Sequence, residues 1–238
     1  MAVNIDDVVI GILGGTGDQG RGLAYRFALA GFRVIVGSRS ADRARSAAAE
    51  LTALAASSAS APAGTPAPAP AVKAVEGMTN ADMSRAASLV IAAVPWEGHG
   101  ELLGSLAVEL TGKIVVDCVN PLGFDSRGAY ALPVPEGSAA QQAAALLPSS
   151  RVVAAFHHVS AKLLLDPGVE TVDLDILVLG DDREATDLVQ ELAGRIPGMR
   201  GVYAGRLRNA GQIEALTANL VSVNRRYKAH AGIRITDI

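Results

Sequence analysis

The chain carries a run of glycines whose spacing suits the binding of a pyrophosphate. The segment Gly15-Thr16-Gly17-Asp18-Gln19-Gly20 has the form G-x-G-x-x-G and follows a short apolar stretch, Val8–Leu13. Its first glycine permits a tight turn, its second lets the backbone approach the pyrophosphate, and its third allows close helix packing. The N–H groups and the positive dipole end of the next helix would face the anion. The spacing predicts a dinucleotide site; the alternative is a structural turn that binds nothing.

The residues after the second predicted strand indicate which dinucleotide would bind. A site for NAD usually places a carboxylate here, on the ribose 2′-hydroxyl. This chain instead has Gly37-Ser38-Arg39-Ser40, with Arg43 one turn into the following helix. A hydroxyl and two guanidinium groups suit a 2′-phosphate, because arginine binds phosphate through two parallel N–H bonds. The pattern favours NADP(H), although both arginines would also suit a solvated surface.

Two further turns are expected at the same edge of the sheet. The fourth predicted strand ends at Val94-Pro95-Trp96-Glu97, followed by Gly98, and the fifth ends near Asn120. Ligands of open α/β sheets bind beyond the carboxyl ends of the strands, so these turns should flank the reactive ring of the nucleotide. Trp96 offers a planar wall for a second ring; its alternative role is to cover a hydrophobic cluster.

No residues show the spacing of a metal site or of a nucleophile with its base. His99 is isolated in the sequence, His157 and His158 are adjacent, and His230 is near the end of the chain. The single cysteine, Cys118, excludes an internal disulfide and is expected to be a small buried residue rather than a reactive thiol. We therefore predict no catalytic side chain and no metal, while either central histidine suits a bond to a ring oxygen or a purely structural role.

Strands and helices alternate along the chain and predict a doubly wound, mainly parallel α/β sheet of the Rossmann type. Residues 1–150 are assigned to a nucleotide-binding domain and residues 151–238 to a smaller C-terminal α/β segment. The predicted elements include helices over about 41–54, 97–110 and 207–230 and a strand over 72–75. An Ala/Pro-rich stretch, 55–71, is expected to be a flexible surface insertion.

Composition excludes several other classes of protein. The formal net charge is −3, so nothing in the overall charge attracts nucleic acid or an anionic membrane. No run of 18 apolar residues predicts a membrane span, and the N-terminus lacks the basic region of a signal peptide. We expect a cytoplasmic protein that acts on small molecules.

Four segments together resemble the NADPH-dependent reductases of the deazaflavin coenzyme F420, also called F420:NADP oxidoreductases. The segments are Gly14-Gly15-Thr16-Gly17, Gly37-Ser38-Arg39, Val94-Pro95-Trp96-Glu97 and Phe156-His157-His158. Two C-terminal segments, Arg206-Leu207-Arg208-Asn209-Ala210 and Asn224-Arg225-Arg226-Tyr227-Lys228, resemble the actinobacterial branch of this family in particular. The resemblance implies reversible hydride transfer between C4 of the nicotinamide of NADP(H) and C5 of the deazaflavin. It also implies a homodimer, and a deazaflavin cleft formed with the C-terminal domain.

The resemblance also implies roles for individual residues. Pyrophosphate contacts would come from Thr16, Gly17, Asp18 and Gln19, and 2′-phosphate contacts from Ser38, Arg39 and Arg43. The nicotinamide half would lie near Val94, Gly98, Asn120 and Ala161. The deazaflavin would be bordered by Trp96, Glu97, His157, His158, Val159 and Ser160. Gln19 departs from relatives that carry an apolar residue there, which puts its side-chain contact with the pyrophosphate in doubt.

Two other functions fit the same residues. An NADPH-dependent reductase of an imine, ketone or quinone would need a proton donor, which the His157–His158 pair or Tyr203 would supply. A nucleotide-sensing module would bind NADPH without oxidising it. The C-terminal segment argues against the sensor, because it builds a cleft that a sensor does not need.

Overall fold

A computed structural model describes residues 4–59 and 71–238 of the chain. Its strands form one eight-stranded sheet and one separate hairpin. The strands of the large sheet are β1 Val9–Leu13, β2 Arg33–Ser38, β3 Glu76–Thr79, β4 Leu89–Ala92, β5 Ile114–Asp117, β8 Arg151–Ala154, β9 Leu174–Gly180 and β10 Met199–Gly205. The hairpin consists of β6 Leu122–Asp125 and β7 Gly128–Ala131.

Eight α-helices of the described residues flank the strands. They are α1 Asp18–Leu29, α2 Ala41–Ala59, α3 Asn80–Ala86, α4 His99–Ser105, α5 Ala139–Leu146, α6 Ala161–Leu165, α7 Arg183–Gly194 and α8 Ala210–Tyr227. Thr79 and Ser138 cap α3 and α5 through their hydroxyl oxygens, as their short polar side chains favour. No helix within residues 4–59 and 71–238 is long and apolar enough to cross a bilayer.

The sheet has the strand order β10-β9-β8-β5-β4-β1-β2-β3. Every neighbouring pair is parallel except β8 and β9, which are antiparallel. The predicted α/β fold with a mainly parallel sheet is confirmed. β8 pairs directly with β5, so a single sheet spans the predicted boundary between residues 150 and 151.

Hydrophobic residues fill both faces of the sheet. Along β2, Val34 and Val36 belong to one core cluster and Ile35 to the other, because successive side chains point to opposite faces. Burial on both faces explains why the strands appear in the sequence as continuous apolar runs rather than as an alternating pattern.

The third strand differs from its prediction. The apolar residues at 72–75 are irregular, and the strand begins at Glu76. Gly77 lies in this strand because α2 passes so close that a Cβ there would come within 2.3 Å of the Ala44 carbonyl carbon. Apolar content therefore placed the strand four residues too early, since close helix packing required a glycine within it.

The second helix is longer than predicted and continues to Ala59. Ala55 is fully buried, and Ser58 Oγ lies 2.7 Å from the hydroxyl of Tyr25 on α1. The expected insertion at 55–71 is thus wrong over its first five residues, because alanine and packing against α1 sustain the helix there. Residues 60–70 of that prediction lie outside the described residues.

Two other helices are shorter than predicted. The helix expected over 97–110 is α-helical from His99 to Ser105 and continues as turns. The last helix ends at Tyr227, where Lys228 adopts φ +52°, and a short 3₁₀ turn over Leu207–Asn209 precedes it. The β6–β7 hairpin was not predicted.

Candidate functional site

The glycine-rich turn joins β1 to α1 as the spacing predicts. A Cβ on Gly20 would come within 2.5 Å of the carbonyl oxygen of Gly14, so only glycine permits this close approach of helix and turn. Gly17 is the N-cap of α1 and is exposed, and no side chain of the described residues caps this helix. The N–H groups of its first turn are therefore free to bind an anion.

A cleft of about 330 Å³ opens in front of this turn. Its lining comes from the ends of β1, β4 and β5 and from the loop after β8. The residues that line it are Gly17, Asp18, Gln19, Ala93, Val94, Pro95, Trp96, Cys118, Val119, Asn120 and His157. Three predicted segments, the glycine-rich turn, the 94–96 turn and the region of Asn120, thus meet at one edge of the sheet.

The residues predicted to bind a 2′-phosphate lie at the end of β2. Ser38 is buried, and its hydroxyl oxygen accepts a hydrogen bond from the N–H of Ser40 (3.3 Å). Arg39 and Arg43 are both exposed. Among the described residues neither guanidinium has an ion-pair partner, whereas Arg45 on the same helix is paired with Asp42. The two unpaired cations remain available for an anionic ligand.

The loop that carries the central histidines has an unusual backbone. Phe156 is fully buried and has φ +63°, a left-handed conformation that costs energy for a non-glycine residue. Gln19 Nε2 donates to the Phe156 carbonyl (3.3 Å), and Asn120 Nδ2 donates to the carbonyl of His157 (2.8 Å). Two residues predicted to contact the nucleotide therefore also hold the backbone of this loop.

His157 lines the cleft, and its ring is buried beside the backbone of Cys118 and Val119. Among the described residues no side chain bonds to a ring nitrogen of His157 or of His158. Burial lowers the pKa of each imidazole to about 4, so both rings are neutral at pH 7. A neutral imidazole at the cleft has one N–H to donate and one nitrogen to accept, which suits a polar ligand.

The last helix contributes a residue that the sequence did not single out. Thr217 on α8 donates through Oγ1 to Asn120 Oδ1 (3.2 Å) and lies 3.4 Å from the His157 carbonyl oxygen. It is separated from Asn120 by 97 residues, so no local pattern could have revealed this contact.

One helical turn before Thr217, a side chain of α8 accepts hydrogen bonds from the N-terminus of α5. The buried carboxylate of Glu214 accepts the N–H groups of Ala139 (2.8 Å) and Ala140 (3.2 Å) at the α5 N-terminus. Burial raises the pKa of Glu214 to about 7, although these two bonds favour its charged form.

Other predicted residues lie beside the cleft rather than in its lining. Ser160 and Ala161 line a neighbouring groove of about 590 Å³, which shares Asp18 with the cleft and is closed by the end of α8. Glu97 and Gly98 are exposed on the turn before α4, and Val159 packs in the hydrophobic core. The structure thus brings half of the predicted site residues into two adjoining depressions at one edge of the sheet.

The segment that carries Ser160 and Ala161 is held by a buried arginine. Arg26 on α1 donates four hydrogen bonds of 2.7–3.0 Å to carbonyl oxygens of the segment. The acceptors are Leu163, Leu164, Asp166 and Val169. α1 therefore positions both the glycine-rich turn and the groove beside it.

The described residues contain neither an exposed cysteine nor a group of metal-binding side chains. Cys118 is buried, as predicted, and its Sγ lies 3.1 Å from the Ala92 carbonyl oxygen. Burial raises the pKa of its thiol, which disfavours the reactive thiolate. Within residues 4–59 and 71–238, no three histidine, cysteine or carboxylate side chains form a metal-binding group.

Known proteins resemble this chain in sequence over most of its length. The family model described as NADP oxidoreductase, coenzyme F420-dependent, matches residues 9–121. An F420-dependent NADP reductase of Methanothermobacter marburgensis is 39% identical over 96% of this chain and 98% of its own length. The enzyme of the same name from Methanocaldococcus jannaschii is 38% identical over 96% of this chain and 98% of its own length.

A solved structure agrees with these similarities. A crystal structure from Arthrobacter sp. FB24, provisionally assigned as an F420-dependent NADP-reductase, has a TM-score of 0.73 and 25% identity to this chain. The match covers 97% of this chain and 100% of that structure. The extent and identity of these matches show that the chain belongs to the family of F420-dependent NADP oxidoreductases.

Proposed function

We propose that this protein transfers a hydride reversibly between NADP(H) and coenzyme F420. The observation that carries the proposal is the shared cleft, which is lined both by the glycine-rich turn before α1 and by His157. One side is suited to a dinucleotide and the other to a second polar ring. The family relationship supports the identity of both substrates.

The nucleotide side fits NADP(H) in its charge. The free N–H groups at the start of α1 suit the pyrophosphate, and Gly17 leaves room for its approach. Arg39 and Arg43 would bind the 2′-phosphate beside the hydroxyl of Ser38. The side chain of Gln19 is already bonded to Phe156, so we assign it to positioning the histidine loop as well as to the pyrophosphate region.

The second side fits a planar ring with polar edges. A neutral His157 has one N–H to donate and one nitrogen to accept, which suits a ring carbonyl or a ring nitrogen of the deazaflavin. Trp96 lies across the same cleft as an apolar wall. Glu97, His158, Val159 and Ser160 remain proposed neighbours of the deazaflavin or of its tail.

The chain has to align two rings and exclude water from between them. When both substrates are bound, C4 of NADPH would supply the hydride and C5 of the deazaflavin would accept it, with the accompanying proton taken from solvent. Asn120 and Thr217 hold the backbone of the histidine loop in place through hydrogen bonds, and the 94–96 turn forms another part of the cleft wall. No side chain needs to form a covalent bond with either substrate.

Turnover measured by absorbance tests this proposal. Purified protein with NADPH and oxidised F420 should rapidly lose the visible deazaflavin band, and NADH should support far less loss. Binding of NADPH without any loss of the band would contradict the proposal. It would favour another acceptor, or the nucleotide-sensing function if no acceptor oxidises NADPH.

A matched pair of histidine variants tests the geometry of the second side. His157→Asn should raise the KM for F420 while kcat at saturation changes little, because the residue binds the ring and transfers no proton. His158→Asn, which alters the neighbouring residue that does not line the cleft, should affect this KM less. Complete loss of turnover at saturating F420 in the His157 variant would contradict a role limited to binding.

We also propose that the functional division follows residues 1–150 for NADP(H) and 151–238 for the deazaflavin side.

A homodimer is proposed because Phe124 and Tyr130 on the β6–β7 hairpin and Tyr227 on α8 expose large apolar surfaces. Light scattering coupled to size-exclusion chromatography tests this proposal, and a monomer would contradict it.

The cytoplasm is the proposed compartment, because NADPH is a coenzyme of intracellular metabolism.

A further inference from the structure

A fully buried histidine lies directly behind the wall of the cleft. His99 is the first residue of α4, and both of its ring nitrogens face acceptors. Nε2 lies 2.6 Å from Asp117 Oδ2, and Nδ1 lies 3.0 Å from Gln142 Oε1. The Gln142 amide nitrogen lies within 3.4 Å of Glu136, an arrangement that turns the amide oxygen toward the ring.

Two acceptors require two N–H donors, and only the protonated imidazole has both. Burial opposes the charge, but the hydrogen bond and the negative charge of Asp117 outweigh it and raise the pKa of His99 above its usual value. The carboxyl of Glu214 from α8 is the other acidic group that acts on the ring, and its ionised form also raises the pKa of His99. The two acceptors and the raised pKa together favour the imidazolium form of His99 in a buried pair with Asp117.

This pair connects two walls of the cleft. Asp117 ends β5, and its second oxygen, Oδ1, accepts the N–H of Val119 (3.0 Å) in the turn that leads to Asn120. His99 follows the turn that carries Trp96. A single ion pair thus holds the turn after β5 against the turn after β4.

The imidazolium also contacts the face of Trp96. The two ring centroids are 5.6 Å apart and the rings are inclined by 33°. A cation at this distance from an indole is attracted to its π-electrons. Trp96 lines the cleft, so its orientation depends on a charge that the substrates do not touch.

We propose that His99 and Asp117 are positioning residues that hold the Trp96 indole as the wall against which the acceptor ring lies. The identification of that ring as the deazaflavin rests on the proposed function. The charge on His99 and its contact with Trp96 do not depend on the proposed function, and both can be measured without F420. His99 acts through Trp96 and Asp117 and takes no part in the hydride transfer itself.

The only tryptophan of the chain provides a direct readout. A protonated imidazole quenches indole fluorescence, so His99→Asn and Asp117→Asn should both brighten the Trp96 emission. Ser105→Ala, an exposed change on the same helix, is the matched control and should leave the emission as it is. Unchanged emission in a folded His99→Asn protein would overturn the proposal.

Kinetics separate positioning from general structure. Loss of a cation–π contact of about 1–2 kcal/mol should raise the KM for F420 by about 5- to 30-fold. The dissociation constant for NADPH, which binds at the glycine-rich turn, should remain within about twofold of the unmodified protein, a change of less than 0.5 kcal/mol. Equal losses for both substrates would overturn a specific role for the Trp96 wall.

Nitrogen-15 NMR of the unmodified, histidine-labelled protein covers the case in which the variants fail to fold. The expected result is a buried imidazolium at neutral pH, and a neutral His99 ring would overturn the proposal. An imidazolium with quenched Trp96 but no turnover of F420 would support the positioning pair and overturn the proposed function instead.

Discussion

The side chain of Gln19, in the first turn of α1, donates a hydrogen bond to the carbonyl of Phe156, 137 residues later in the chain (3.3 Å). The bond joins the glycine-rich turn to a residue with φ +63° that directly precedes His157 in the cleft lining. One amide thus links the proposed nucleotide site to the loop of the proposed second-ring site.

Gln19→Leu should loosen this link while leaving the N–H groups of the turn in place. A lost hydrogen bond of about 1 kcal/mol corresponds to an increase of about fivefold in the KM for F420, with a smaller change for NADPH. Steady-state kinetics with each substrate varied in turn measure both values. Gln190→Leu on α7, whose side chain bonds within its own helix, serves as the control. A larger effect on NADPH than on F420 would show that Gln19 acts mainly on the pyrophosphate.

Arg39→Ala should weaken NADPH binding far more than NADH binding. Loss of a charge-assisted bond to the 2′-phosphate is worth about 1.5–3 kcal/mol, or about 10- to 150-fold in the dissociation constant. Arg45→Ala removes an arginine from the same helix that is already paired with Asp42, and it should leave the preference unchanged. Titration calorimetry with both nucleotides provides the comparison, and equal weakening of the two would refute the assignment.

Arg26→Met should destabilise the protein by about 3–5 kcal/mol, because it leaves four carbonyl oxygens of the 163–169 segment without their buried donor. Arg21→Met, on the same helix, breaks a partly exposed ion pair with Glu50 and should cost less than about 1 kcal/mol. Urea denaturation measures the two free energies of unfolding. Similar values for both variants would show that the carbonyl cluster is satisfied in another way.

Glu214→Gln should change how stability depends on pH. The pKa of the folded carboxyl is about 7 against an ordinary 4.5, so the folded state binds more protons than the unfolded state between these values. Its contribution to stability therefore falls as pH rises from 4.5 to 7, by about 3 kcal/mol in total, and is level above that range.

The variant lacks this titration, so its stability relative to the unmodified protein should improve by about 3 kcal/mol between about pH 4.5 and pH 8. Comparing the two proteins removes the opposing contribution of His157 and His158, whose lowered pKa values make stability rise with pH. Denaturation at several pH values gives this difference, and a difference independent of pH would place the Glu214 pKa near its ordinary value.

The sequence was most informative where function depends on local geometry. The turn from β1 to α1 needs glycine at Gly20 for steric reasons that any such turn shares, so the spacing alone identified it. The ends of β2, β4 and β5 followed from the alternation of strands and helices, because parallel strands bring their carboxyl ends to one edge.

Contacts between segments that are far apart in the sequence were not predicted, for a physical reason. His99 was isolated in the sequence, yet its partners Asp117 and Gln142 lie 18 and 43 residues away and meet it only after the sheet is assembled. The β6–β7 hairpin had a weak local signal, since Asp125 accepts the N–H groups of Arg127 and Gly128 in a tight turn. Its short strands pair only with each other, so the alternation of strands and helices that predicted the large sheet did not predict them.

The reversal of β9 relative to β8 leaves the large sheet with one narrow junction. β8 and β9 pair at only two positions, Val153 with Gly180 and Ala154 with Leu179, whereas the other neighbouring strands pair at four or more. α8 follows the last strand and carries Glu214 and Thr217 back to partners on the other side of this junction. A truncation before α8 would therefore remove contacts that reinforce the narrowest seam of the sheet.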